Sequence, residues 1–471
     1  MKSKLPIFLV LFLGIFGFAQ SSLAANHYIS RDCQINGDGT SWNCASSPGG
    51  AGAWNDMPYS TACNYASYSW IRGDTYYFAG SDTSYTEGCI RNVSGTTGTI
   101  TIKKASPSDH GTDSGWQSSY GSKQAQVPVF GNWVHDVTFD GSYKYGFKIT
   151  SFLNTYDERG NVWRQIIRNV EVTEPTPSDN DYIYIYSRSS GDGSLSNPDL
   201  LIEDAWFHDL GTVESIYYVT GEYGIIQNSI FERTLTSNNT NHKTVVRFNG
   251  TVNHVIFRNN TISDWCGYSI TSPIELEGSG TTSYIWIYNN VLYLTPGYCS
   301  GKSEGSRAID GLGAGTFDHI YIDNNDLINI DQDEAADVGL FGAWSNSEVK
   351  NNIWYNSPGL RFIGSAGVTK DYNFFYQTPN YSDRQAHDVS GTADPFVDST
   401  NYNFNLKNCS GPSCANDNGL NLSSIFSTDL LGTIRPQGLG WDIGAYEYIT
   451  NTPPPPPDTT PPSPPSGVNV R

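Results

Sequence analysis

The chain has 471 residues, 27 Lys and Arg against 47 Asp and Glu, and a net charge of −20. A field of that sign repels nucleic acid and other polyanions, which excludes a nucleic-acid-binding protein. The length allows a large core but does not separate one elongated domain from several compact ones.

Residues 1–24 carry Lys2 and Lys4, an apolar run from Leu5 to Phe18 and the small-residue stretch "SSLAA". That order of charge, apolar core and cleavage site predicts a secretory signal cut between Ala24 and Ala25. The run is too short to span a bilayer, and nothing later reaches the length a spanning helix requires. The mature chain is therefore expected to be secreted or held at the cell surface, with no membrane span and as a monomer. Eight cysteines, an even number, fall as close neighbours: Cys33 and Cys44, Cys63 and Cys89, Cys266 and Cys299, Cys409 and Cys414. Proximity predicts these four pairs as disulfides out of about 105 possible connectivities. Zinc is the weaker reading, because no CxxC or HxxxH spacing occurs. Residues 25–100 hold four of the cysteines and are expected to form an N-terminal cap and the first coils.

From residue 101 to 390 one phrase recurs: apolar alternation, asparagine, more apolar residues. It centres on Asn169, Asp204, Asn228, Asn260, Asn290, Asn325, Asn352 and Asn373. Steps of roughly 20 to 35 residues are too short for each copy to bury a face alone, and so predict a stacked solenoid. Each copy also holds a second short strand: "YIYIY" (182–186), "SIYY" (215–218), "VVRF" (245–248), "PIELE" (273–277), "RAID" (307–310), "VGLF" (338–341) and "LRFI" (360–363). The fold class is therefore all-β, a right-handed parallel β-helix, since coils of unequal length oppose the left-handed hexapeptide type. Asparagines stacked at one corner would hydrogen-bond along the axis and satisfy the amides of a tight bend. No long stretch has the 3.6-residue apolar period of a helix. Residues 391–449 are expected to form a C-terminal capping segment that protects the last coil from strand addition. Residues 450–463 read as a Pro-rich linker.

The phrases "HYIS…GDGTSW" and "WIRGDTYYFAGSDTSYTEG", with the closing "ADPFVDSTNYNFNL", "GTIRPQG" and "WDIGAYEY", resemble secreted bacterial right-handed β-helix proteins of the pectate-lyase-like superfamily. The resemblance covers roughly residues 27–449 and implies an architecture without fixing an activity, since that scaffold hosts lyases, hydrolases, epimerases and non-catalytic adhesins. The tail "DTTPPSPPSGVNVR" resembles the linker and first strand of a fibronectin type III module, with residues 464–471 as its start.

Candidate chemistry lies on the second strand of three successive coils. If Ile274 and Leu276 point inward, Glu275 and Glu277 point outward on one face, about 6 to 7 Å apart. Arg247 and Asn249 on the coil before, and Asp310 on the coil after, would join them in one patch. Asn249, Glu275 and Glu277 make an oxygen donor set suited to calcium, the one cofactor expected. "PIELEGS" is also similar to the calcium-binding glutamate pair of chondroitinase-B-like and alginate lyases. That resemblance implies a metal neutralising a uronate while a lysine and an arginine move the proton. Thr282 stands where that family has its lysine, and "SRAIDG" does not reproduce its Leu-Arg-His phrase. His242, Lys243, Arg247, Lys302 and Arg307 are the nearby substitutes. Glycoside hydrolysis is the rival chemistry, with Glu275 and Asp310 as the two carboxylates. A merely solvated outer face is the third reading.

The acidic run "DQDEAAD" (331–337) lacks the glycine and closing glutamate of an EF-hand, and reads as an exposed corner loop. His208, His254 and His319 read as structural histidines. Tyr182, Tyr184, Tyr186 and Tyr217 would either face sugar rings or stack between coils. The functional expectation is a polysaccharide lyase or glycoside hydrolase using Arg247, Glu275 and Asp310 on a polysaccharide or cell-surface glycan. Neutral glycans and calcium-bridged uronates rank above naked polyanions. The alternative is a non-catalytic surface or adhesive protein that uses the solenoid as a spacer and binding platform.

Overall fold

Alternating apolar residues such as "HIYIDNNDLI" and "YIWIYNNVLY" form short strands that bury one face, and the chain is built almost wholly from them,. The computed structural model describes residues 24–449 apart from 57–69, 87, 91–92, 133, 156–162, 174–183, 186–190, 211–213, 219–220, 236–243, 267–271, 278–279, 301–306, 313–314, 331–337, 358–359, 364–366 and 379–383. The expected signal segment, the linker with its fibronectin-like start, and "DQDEAAD" therefore lie outside the described residues.

Two thirteen-stranded sheets draw their strands from residues 26–371 and 88–390, a six-stranded sheet draws its strands from 214–363, and each is parallel throughout. The chain visits them in rotation. Leu200–Glu203 joins the first long sheet, Trp206–Leu210 the second and Glu214–Tyr218 the six-stranded one. Gly221–Gln227, Ile230–Leu235 and Thr244–Asn249 repeat the circuit one layer on. This rotation is consistent with a β-helix solenoid. Asn26–Ile29, Thr75–Phe78 and Ile100–Lys104 already belong to the first long sheet. The strand Tyr184–Ile185 of "YIYIY" pairs with Asn154–Thr155 of the second long sheet and not with the six-stranded one. The inward rows are continuous apolar stacks, for example Phe207, Phe231, Ile262, Leu292, Leu327 and Trp354, all buried.

Left-handed residues turn the chain between sheets. One bend carries Asn169, Asp204, Asn228, Asn259, Asn289, Asn324 and Asn351, with φ between 50° and 57°. Asn and Asp tolerate that region better than other residues with a Cβ. The following position holds the hydrogen-bonded ladder of Asn260, Asn290, Asn325, Asn352 and Asn373. In each step the Oδ1 of one asparagine accepts both the backbone N–H and the Nδ2 of the asparagine one coil earlier, at 2.9 to 3.2 Å. The register corrects the sequence alignment of the early coils. Asn228 pairs with the bend residue Asn259, so Asn169, Asp204 and Asn228 turn the chain, and the ladder position is taken by Val170, Ala205 and Ser229. Ser229 ends the ladder, its N–H donating to Asn260 Oδ1 at 3.0 Å.

Residues 391–449 lie along the flank of the later coils. Phe396, Phe404 and Ile443 pack on Val291, Ile328, Ile353 and Phe374, and Phe426 and Trp441 pack with Tyr288. Asn324 Nδ2 donates to the carbonyls of Asp442 and Gly444 at 3.0 and 2.9 Å, and Asn351 Nδ2 to that of Leu420 at 2.8 Å. Arg435 locks this cover. Its guanidinium donates to Glu447 at 2.9 Å and to the carbonyl of Gly444 at 2.8 Å, with both charged side chains fully buried.

Cys33–Cys44 and Cys409–Cys414 are disulfides. Cys89 and Cys299 are also disulfide-bonded; Cys63 and the side chain of Cys266, their expected partners, lie outside the described residues. The bonds are consistent with an extracellular protein. No helix among the described residues is long and apolar enough to cross a membrane.

Candidate functional site

Parallel register assembles the predicted patch. Arg247 sits opposite Glu275 and Glu275 opposite Asp310, while Asn249 sits opposite Glu277. Val246, Ile274 and Ile309 are fully buried in the inward row, as are Phe248 and Leu276. Period-2 alternation then sends Arg247, Glu275, Glu277 and Asp310 to the outward face of the six-stranded sheet. Gly311, next to Asp310, is needed there, because a Cβ would meet the Trp344 ring at 2.5 Å.

The two arginines organise the carboxylates. Arg247 Nη2 contacts Glu277 Oε2, and its Nε lies 3.8 Å from Glu275 Oε1. Arg307 Nη1 pairs with Asp310 Oδ2 at 2.6 Å. Trp265, at the end of the second-sheet strand Thr261–Cys266, donates its indole N–H to the Arg307 carbonyl at 2.9 Å and so fixes that arginine from behind. Glu275 is 3% exposed and Asp310 0%, while Arg247 and Glu277 keep a third or less of their side chains open to solvent. Burying an ionised carboxylate costs several kcal/mol before its partners repay it. A solvated solenoid face incurs no such cost, so the burial of Glu275 and Asp310 argues against the bland reading of this patch.

The expected calcium donors Asn249, Glu275 and Glu277 share their space with an arginine. Among the described residues no group of three or more His, Cys, Asp or Glu side chains is placed to hold a metal ion. The positive charge between Glu275 and Glu277 is the guanidinium of Arg247. Thr282 belongs to the inward row of the first long sheet, between Val252 and Phe317, and is fully buried away from the patch. His242, Lys243 and Lys302 lie outside the described residues, as do Tyr182, Tyr186 and the side chains of Tyr184 and Tyr217.

Sequence reasoning missed Arg307 as the partner of Asp310 and missed a polar network on the second long sheet. There His208 stacks on Trp206 at 3.8 Å, and its ring nitrogens meet Asp209 at 2.6 Å and Glu171 at 3.2 Å. Arg233 bridges Asp209 and Glu232, and Lys148 contacts Glu171. Burial pushes the Glu171 carboxyl up, but hydrogen bonds from His208, Gln124 and Lys148 outweigh it and hold the group at about 2. Burial pushes His208 down, and its bonds to Asp209 and Glu171 more than reverse this and raise it. Charges compensated in this way stabilise stacked coils, in keeping with a structural histidine.

No protein-family model matches the chain, and no curated protein matches it at significance.

Proposed function

We propose that the chain is a secreted, glycan-directed right-handed parallel β-helix, and that Glu275 and Asp310 are the reacting pair of a glycoside hydrolase. The handedness follows the strong right-handed preference of parallel crossovers. The observation that carries the reading is the pair itself: two outward carboxylates, in register on neighbouring strands and withdrawn from water. Neighbouring strands place their Cα atoms about 4.8 Å apart, and side chains leaving one face in parallel keep roughly that spacing. Retaining glycosidases hold their two carboxyl groups about 5 to 5.5 Å apart.

Roles follow from the partners. Asp310, held by Arg307 and fully buried, is assigned the attack on the anomeric carbon, which requires the substrate to open this face. Glu275, the less deeply buried of the two, is assigned to give a proton to the leaving oxygen as the glycosidic bond breaks,. Water, deprotonated by Glu275, then displaces Asp310 from the sugar and restores both groups. Arg247 and Glu277, at the solvent edge, are placed to bind sugar hydroxyls.

A second reading, a non-catalytic surface or adhesive protein, is favoured by one specific observation: each carboxylate already has a guanidinium within 4 Å, as cohesion between coils alone would require. A panel of neutral and uronate polysaccharides separates the readings. New reducing ends without ultraviolet absorbance support hydrolysis, and unsaturated, chelator-sensitive products point to the calcium-assisted lyase. No product from any glycan leaves the spacer reading.

A further inference from the structure

We propose that the outward face of the first long sheet, around Trp286 and Tyr321, is a binding platform for a linear neutral glycan lying along the solenoid axis. The idea rests on the glycan-directed reading but uses a surface separate from the Glu275 and Asp310 patch, on a different sheet.

Tyr223, His254, Tyr284 and His319 occupy one bend on successive coils, all left-handed, with φ of 57°, 55°, 55° and 55°. Histidine tolerates that region better than most residues, but tyrosine does not, at a cost of about 1 to 3 kcal/mol for each of Tyr223 and Tyr284. Turning the chain does not require rings. The same bend is made by Asp136 and Arg164 on earlier coils and by Asn346 on the next, and the other bends rely mainly on Asn and Asp. Stacking between the rings, at 4.5 to 4.9 Å, returns about 0.5 to 1.5 kcal/mol per pair, which does not clearly exceed the strain,. Strain retained at Tyr223 and Tyr284, in a column of rings four coils long, points to a use for the rings,.

The neighbouring row supplies the contact surface. Trp286 and Tyr321 are half-buried, nearly parallel at 4°, with centroids 5.7 Å apart. That separation is well beyond the thickness of a stacked pair, so the rings are slipped; Trp286 also packs on the flank cluster of Leu422, Phe426 and Trp441, and both rings stay partly exposed,. Beyond the strained bend runs a polar row in register, Asn253, Ser283, Asp318 and Ser345. Ring faces bordered by hydrogen-bonding groups match a pyranose, which has C–H faces and a hydroxyl rim. The net charge of −20 selects against polyanions, and the C–H faces that rings match favour a neutral glycan as the occupant,.

Native affinity electrophoresis of the full chain in gels containing galactomannan, xyloglucan or dextran, with pectate as the polyanionic control, tests the platform. At least one neutral polysaccharide should retard the wild type. Trp286→Ala and Tyr321→Ala should each weaken retardation about tenfold, the loss of one ring contact. Their Tm should stay within a few degrees of wild type, and Tyr284→Asn, which keeps a bend-compatible residue, guards against a variant that fails to fold. Retardation without cleavage would leave the platform standing while removing the hydrolase. Absence of retardation by every neutral glycan, retardation by pectate alone, or unchanged binding in all three ring variants would overturn it.

Discussion

Asn352 Oδ1 accepts both the backbone N–H and the side-chain amide of Asn325, at 2.9 and 3.0 Å, in a corner closed to water. Asn325 repeats the pattern toward Asn290 and also donates to the Ile287 carbonyl at 2.9 Å. Asn325→Ala would orphan several buried groups at about 1 to 3 kcal/mol each, so a loss of about 3 kcal/mol or more is expected. Asn228→Ala, at the exposed bend position, should cost only about 1 kcal/mol from its left-handed backbone,. Urea midpoints of the two variants measure the difference, and equal losses would count against the ladder.

The phrase that makes this ladder was legible because two adjacent asparagines do two jobs, one turning the chain and one bonding along the axis. Where only one asparagine remained, as in "IIRNVEV" and "IIQNSIF", nothing in the letters said which job it kept, and the alignment slipped by one residue. The outward patch was legible because alternation fixes the face of Arg247, Glu275 and Asp310 as soon as Ile274 is placed inward. Its burial was not, since that depends on what covers the strand from other coils. Nor was the tie from Trp265 through Arg307 to Asp310, which joins residues from two sheets. The flank position of residues 391–449 was hidden as well, because Trp441 and Phe426 find Tyr288 across more than a hundred residues.

Arg435→Met should loosen the flank cover. Removing the guanidinium leaves Glu447 buried without its counter-ion, at a cost of about 3 to 5 kcal/mol,. Earlier proteolytic nicking within residues 415–448 would report it, and adding Glu447→Gln should restore part of the protection. A double variant no better than the single one would argue against the ion pair as the lock.

Asp326 gives the cover a pH dependence. Burial, only partly offset by the Ala445 N–H and Arg435, pushes its carboxyl up to about 8. Asp442 and Glu447 are pushed up by burial in the same interface, to about 6 and about 7. A raised carboxyl holds a proton in the folded state that the unfolded chain has lost. Its contribution is thus fully present below about pH 4 and declines as pH rises to about 8, by at most roughly 1.4 kcal/mol per pH unit for one group. Asp326→Asn should flatten the fall of Tm between pH 7 and 8. An unchanged slope would contradict the assignment.

Calcium should do little at the Glu275 patch, because Arg247 already lies against both glutamates and offsets one of their two charges. Titration calorimetry of wild type and Glu277→Gln is expected to show no calcium binding that depends on Glu277. A site lost on that substitution would restore the metal reading.

The account turns on Glu275 and Asp310 acting together on a glycosidic bond. The most direct measurement is the rate of reducing-end release from the best polysaccharide of the panel by Glu275→Gln and Asp310→Asn, each checked for an unchanged fold by circular dichroism. Each is expected to lose at least about a hundredfold in kcat, the smallest contribution usual for a positioned acid or base. Folded variants that cleave at the wild-type rate would show that the chemistry lies elsewhere.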